Sequence, residues 1–124
     1  MLHIKVPATS ANMGPGFDCA GIALQLYNEI WVETIPSGIE ISSKTNENIP
    51  KDESNLIYST IRDFYEAENI PMPGIRLIQD DHIPMTRGLG SSAACIVGGL
   101  IAANILSGKN YSKEELAQKA AKLE

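Results

Sequence analysis

The feature that most constrains this chain is the apolar run over residues 93–106, Ala-Ala-Cys-Ile-Val-Gly-Gly-Leu-Ile-Ala-Ala-Asn-Ile-Leu. Ser91 and Ser92 precede it, and Ser107 and Gly108 follow it. Serine before and glycine after an apolar run are ordinary start and stop signals of a helix. A helix that is apolar nearly all round has no face to offer to water, so it must be central and buried. It is too short to span a bilayer and is interrupted by Gly98, Gly99 and Asn104. Each glycine inside it costs roughly 1 kcal/mol against alanine. The Gly98-Gly99 pair therefore predicts close approach of a neighbouring backbone.

The flanking sequence supplies the elements to surround such a helix. Residues 2–6 alternate and lead to Pro7, a first strand. Residues 8–17 form a loop rich in Gly, Pro, Ser and Asn, with Gly14 and Gly16 in backbone states closed to other residues. Residues 20–26 read as a further strand, and 29–35 alternate polar and apolar as a half-buried one. Pro36-Ser37-Gly38 is a turn, and 39–41 is expected to pair back as a hairpin. After the polar loop 46–53, a helix begins at Ser54 or Asn55, with Ile57, Ile61 and Phe64 as its buried stripe. It stops before Pro71 and Pro73, and 75–78 is another strand. The last helix opens on a capping box, Ser112 with Glu115, and buries Leu116, Ala120 and Leu123. Strands joined mostly antiparallel, with helices to one side, make an α+β fold.

Size and charge narrow the function. The chain has 124 residues, of which 44% are hydrophobic, enough for one domain with one core. Its net charge of −5 leaves no broad basic surface, which argues against nucleic acid as a partner. Two cysteines, Cys19 and Cys95, in apolar or Gly-rich surroundings read as small buried or half-buried thiols. The first residues show no apolar core of a signal peptide, so the expected location is cytoplasmic, with no membrane partner. His3 and His82 have no plausible second metal ligand in the sequence.

The segment ahead of the apolar helix carries the chemistry. Pro84, Met85, Thr86, Arg87, Gly88, Leu89, Gly90, Ser91, Ser92, Ala93 and Ala94 run from a strand through a glycine loop into the helix. Gly88 and Gly90 let the backbone turn tightly and approach a ligand. The unpaired N–H groups of the first helical turn, with the helix dipole, suit a phosphate. A serine hydroxyl there can ligate Mg²⁺. An ordinary serine-capped helix start explains the same residues. The segment is not a Walker loop, since no Gly-Lys-Ser/Thr follows, and it lacks the third glycine of a dinucleotide fingerprint.

Ile83-Pro84 through Gly88-Leu89-Gly90-Ser91-Ser92-Ala93-Ala94 resembles the ATP-binding signature of the GHMP kinases. Pro7-Ala8-Thr9-Ser10-Ala11-Asn12-Met13-Gly14-Pro15-Gly16-Phe17-Asp18, followed by Gly21-Ile22-Ala23-Leu24, is similar to the homoserine kinases within that family. Met13 stands where leucine is usual there.

The resemblance implies an N-terminal domain of the ribosomal-protein-S5-domain-2-like type over residues 1–124, truncated and without the family's C-terminal domain. It implies transfer of the γ-phosphoryl of ATP to the hydroxyl of L-homoserine, with Mg²⁺ as cofactor. Residues 84–94 would wrap the ATP phosphates, and Ser92, or else Ser91, would ligate Mg²⁺. Asn12 and Asp18 match positions lining the homoserine site. Asn55 matches a position near the adenine, although a helix cap accounts for it equally. Glu124 matches a place where the family has an acidic Mg²⁺ ligand, and an exposed terminal residue is the alternative. The resemblance covers the first two-fifths of the family pattern, so little turnover is expected from this polypeptide alone. A homodimer stays open. The alternatives are another GHMP small-molecule kinase, or a non-catalytic S5-like binding module.

Overall fold

A computed structural model describes residues 1–7, 27–45, 49–81 and 91–123, with the backbone alone at residues 91–93 and 123. The elements run β1 (Leu2–Pro7), β2 (Tyr27–Ile35), β3 (Ile39–Ser43), α1 (Leu56–Ala67), β4 (Gly74–Asp81), α2 (Ser91–Ser107) and α3 (Lys113–Leu123). The expected loop over 8–17 and strand over 20–26 lie outside the described residues. The other expected strands and helices are present.

The described strands form one sheet in the order β1-β2-β4-β3. β2 pairs antiparallel with β1 and with β4, and β3 pairs parallel with β4. The expected hairpin between 29–35 and 39–41 is therefore not formed. β4 lies between them, and the parallel step from β3 to β4 is made through α1, as a crossover requires. The physical reason is burial. β4 buries Ile75, Leu77 and Gln79 on one face and half-buries the residues between them, which suits a central strand. β3 is short and carries Glu40, Ser42 and Ser43, which suits an edge.

One face of the sheet meets the helices. Ile4, Val6, Ile30, Val32, Ile75 and Leu77 share a single core with Ile57, Ile61 and Phe64 of α1 and with Ile96, Leu100 and Ala103 of α2. The other face is ionic and aromatic. His3 stacks on Trp31 at 4.7 Å, the Lys44 ammonium lies 4.1 Å from the centre of that indole, and Arg76 bridges Glu33 and Glu40 of its neighbouring strands.

The apolar helix α2 is largely buried, as expected, but its last turn exposes Ile105. A Cβ on Gly99 would sit 2.9 Å from Thr60 Cβ and 3.1 Å from the Ile57 carbonyl oxygen, so this glycine does let α1 come close. A Cβ on Gly98 would meet only the side-chain ends of Val6 and Ile30, at 3.3 and 3.4 Å. Alanine gains about 1 kcal/mol of helix propensity at either position, and overpacking costs about 1–3 kcal/mol where neighbours cannot yield. Gly98→Ala is expected to be neutral or slightly stabilising and Gly99→Ala destabilising by about 1 kcal/mol. Paired urea titrations that ranked them the other way would overturn this account of the contact.

Both inner helices end the same way. Asn69 and Gly108 take the left-handed conformation (φ 57° and 75°). Asn69 N–H donates to Glu66 and Ile70 N–H to Tyr65, while Gly108 N–H donates to Ile105 and Lys109 N–H to Asn104. Each set satisfies the carbonyls left open at a helix end. The α3 capping box also forms, with Glu115 N–H donating to Ser112 Oγ at 3.2 Å and Ser112 N–H to Glu115 Oε1 at 3.1 Å.

α3 is tied back to α1 through Glu68. The Tyr111 hydroxyl donates to Glu68 Oε1 at 2.6 Å, and Lys109 and Lys119 each place an ammonium 3.6 Å from the same carboxylate. The tyrosine hydrogen bond, then the lysine charges, hold the Glu68 carboxyl below the ordinary 4.5. A lowered carboxyl value stabilises the fold above the unfolded value and is lost as pH falls through the folded one. Thermal midpoints measured from pH 6 down to pH 3 should fall more steeply for this protein than for Glu68→Gln. Equal slopes would remove Glu68 from the acid response.

Candidate functional site

The sheet changes character along its inner face. Val32, Ile30, Ile75 and Leu77 are aliphatic, but the next inward positions are Gln79 on β4 and Asn28 on β2, both buried. Asn28 stands opposite Asp81 at the end of β4. Ser91, at the start of α2, is ten residues further along the chain, past the glycine loop. A buried amide costs free energy unless it is hydrogen-bonded, so this polar end of the core needs an internal network.

Asn55 and Gln79 supply that network. Asn55 is the N-cap of α1, and its Oδ1 accepts from Ile57 N–H at 2.9 Å and Tyr58 N–H at 3.1 Å. Its Nδ2 donates to Pro50 O at 3.0 Å and to Gln79 Oε1 at 2.6 Å. Gln79 Nε2 in turn donates to both Asp81 carboxylate oxygens, at 3.2 and 3.3 Å. Backbone bonds close the far side: Lys44 N–H donates to Gln79 O at 2.8 Å, and Asp81 N–H to Thr45 Oγ1 at 3.1 Å. Three stretches of chain, 44–45, 50–55 and 79–81, thus meet at one glutamine.

α2 begins without an acidic side chain in its first turn, so nothing on the helix itself offsets the positive end of its dipole. Ala94 in that turn is buried. Cys95 is half-buried, and burial, followed by the charge of Asp81, pushes its thiol up to about 12. It stays protonated and unreactive at neutral pH, as expected for a packing thiol.

Among the expected site residues, the structure places Asn55, the backbone of Ser91, Ser92 and Ala93, and Ala94. The Ser91 and Ser92 hydroxyls lie outside the described atoms. Pro84, Met85, Thr86, Arg87, Gly88, Leu89, Gly90, Asn12, Asp18 and Glu124 lie outside the described residues. Asn55 serves as a cap, and its amide is engaged with protein partners on both sides. His3 contacts Glu29 and Trp31, and among the described residues no group of three or more His, Cys, Asp or Glu could hold a metal. Gln79, Asp81 and Thr45, which join Asn55 in this network, are not singled out by the sequence reading. Gln79 had a signal, because it follows Ile75 and Leu77 at the two-residue period of the inward face.

The model of the N-terminal domain of GHMP kinases matches residues 55–124, more than half of the chain. The chain belongs to the GHMP kinase family. Curated relatives include the homoserine kinases of Caldicellulosiruptor saccharolyticus, 50% identical over 125 residues, and of Petrotoga mobilis, 49% identical over 126. Each alignment takes in 100% of this chain and 41% of the relative, so the chain spans about two-fifths of their length. Among solved structures, the one assigned to homoserine kinase thrB of Listeria monocytogenes is 34% identical, with a TM-score of 0.76 over 99% of this chain and 43% of that one. The mevalonate kinase of Methanococcus jannaschii, at 17% identity and a TM-score of 0.68 over 96% of this chain and 44% of that one, shares the fold. The mixed sheet with its helices on one face is thus the S5-like N-terminal domain of a GHMP kinase.

Proposed function

We propose that this chain is the ATP-binding, N-terminal portion of an ATP:L-homoserine phosphotransferase. One observation carries the proposal: the match to a homoserine kinase, 50% identical over 125 residues, takes in the whole of this chain. The start of α2 supports it, since a buried helix with no acid in its first turn follows directly on the glycine loop.

In this reading residues 84–94 cradle the triphosphate through backbone N–H groups. Asn12 and Asp18 hold the homoserine, with the Asp18 carboxylate available to its ammonium. Asn55 acts beside the adenine, and the bonds of its amide to α1 and Gln79 favour action through the shape of that wall. Ser92, with Ser91 as the alternative, and Glu124 would hold Mg²⁺, which offsets charge on the phosphates when bound. The homoserine hydroxyl oxygen forms the new bond to the γ-phosphorus as the bond from that phosphorus to the β,γ-bridging oxygen breaks; ADP leaves and the hydroxyl proton passes to solvent. Catalysis of this kind is mostly positioning and charge neutralisation. The part of the relatives that lies beyond this chain would complete the site, so the 124-residue chain should bind nucleotide and turn over little. No helix among the described residues is long and apolar enough to cross a membrane.

Calorimetric titration with ATP–Mg²⁺ should give saturable binding to the folded chain. A protein of the relatives' length that carries this sequence should release ADP with L-homoserine in preference to mevalonate or galactose. A preference for one of the other alcohols would replace the substrate. Absence of nucleotide binding by a folded chain would sink the kinase reading of this portion.

A further inference from the structure

We infer that Gln79 is a positioning residue of the nucleotide site, holding the start of α1 in register with the strand end from which the glycine loop departs. The inference rests on the nucleotide-binding reading above. Its observation is the direction of the hydrogen bonds. Gln79 accepts from Asn55 Nδ2 on one side and donates to Asp81 on the other, and its side chain is buried.

An amide is suited to this place because it has an acceptor and a donor at opposite ends of one plane. Its oxygen faces Asn55 and so keeps the Asn55 oxygen turned toward the Ile57 and Tyr58 N–H groups. Its nitrogen faces Asp81 and so spans both carboxylate oxygens. Reversing either amide would set two donors or two acceptors face to face. The backbone of Gln79 adds a third tie, through Lys44 N–H to its carbonyl.

The consequence reaches both ends of a bound nucleotide. Residue 55 lies on the adenine side of the proposed site. Asp81 is the last described residue before residues 84–94, which the proposed function sets on the phosphates. Asp81 also lies close enough to Cys95, in the early turns of α2, for its charge to act on that thiol. A glutamine in contact with Asn55 and Asp81 therefore ties residue 55 to the strand end that precedes residues 84–94.

The test is a set of Kd values for ATP–Mg²⁺ on the 124-residue chain, with the thermal midpoint of each variant as control. Gln79→Glu keeps the acceptor for Asn55 but places a second carboxylate against Asp81. It should weaken binding about tenfold, the equivalent of ~1.4 kcal/mol. In Gln79→Glu combined with Asp81→Asn, donor and acceptor are exchanged and the pair is restored, so most of the affinity should return. Gln79→Met, of similar length and without polar atoms, serves if the glutamate variant does not fold, and should also weaken binding. A merely structural glutamine would lower the thermal midpoint and leave Kd unmoved. Folded Gln79→Glu and Gln79→Met chains that bind ATP–Mg²⁺ within about twofold of the parent would overturn the inference, and so would a double variant no better than Gln79→Glu. Failure of the parent chain itself to bind would instead strike at the nucleotide reading on which the inference stands.

Discussion

Replacing Asn55 with alanine is expected to destabilise the fold by about 3 kcal/mol, close to the sum of two separate losses. The first is the cap. Oδ1 of Asn55 satisfies the Ile57 and Tyr58 N–H groups, and losing an N-cap costs about 1–2 kcal/mol. The second is the partner left behind. Gln79 Oε1 is buried and would lose its donor, at about 1–3 kcal/mol. Asn55→Asp isolates the second. It keeps the cap acceptor but sets a buried carboxylate oxygen against Pro50 O and Gln79 Oε1, two acceptors, so it should be at least as destabilising as Asn55→Ala. Urea denaturation of the three proteins checks the order. A loss below about 0.5 kcal/mol for the alanine variant, the range of an ordinary surface substitution, would mean the network relaxes without it.

Gly74→Ala should be at least as damaging, about 3 kcal/mol or more, because the atoms it would strike cannot swing aside. A Cβ at Gly74 would lie 2.6 Å from the Ser37 carbonyl carbon, 2.7 Å from Ser37 Cα and 2.8 Å from the Ile35 oxygen. All three are backbone atoms of the turn between β2 and β3. That turn folds over the first residue of β4, where Ile75 N–H donates to Gly38 O at 3.0 Å. To admit the methyl, either the turn lifts or β4 slides away from both neighbours. Gly38→Ala is the control. It meets no atom within 4 Å and suffers only from its φ of +88°, a strain worth roughly 1–2 kcal/mol. If the two variants proved equally stable in denaturant, crowding at Gly74 would not be what holds the turn.

Gly74 also explains which part of the fold was legible in sequence. Periodicity located each described element, and the cap signals at Asn55, Ser112 and Gly108 placed helix ends within a residue or so. The partner of β3 was not legible. A short Pro-Ser-Gly turn between two alternating segments reads as a hairpin, and nothing local shows that a strand beginning only at Gly74 will enter between them. That choice is made by the burial of Ile75 and Leu77, a property of the whole sheet. The glycine-rich segment 84–94 stands out in sequence because its chemistry is local. The link from Asn55 to Gln79 and Asp81 did not, because residue 55 lies far from 79–81 in sequence and meets them only through the crossover.

The placement of β4 between β2 and β3 has a kinetic consequence. Until residues 74–81 are made and positioned, β2 and β3 are neighbours in the chain with open edges facing one another. The turn at 36–38 would let them zip together on the microsecond scale typical of hairpins, about 1–10 μs. The native order requires that pairing to open. Both native contacts of β4 close long loops, which makes them slow to form. Refolding should therefore pass through a trapped species, seen as a rate that rises in mild denaturant before it falls. A strictly linear refolding limb would show that β4 arrives before the misplaced hairpin can form.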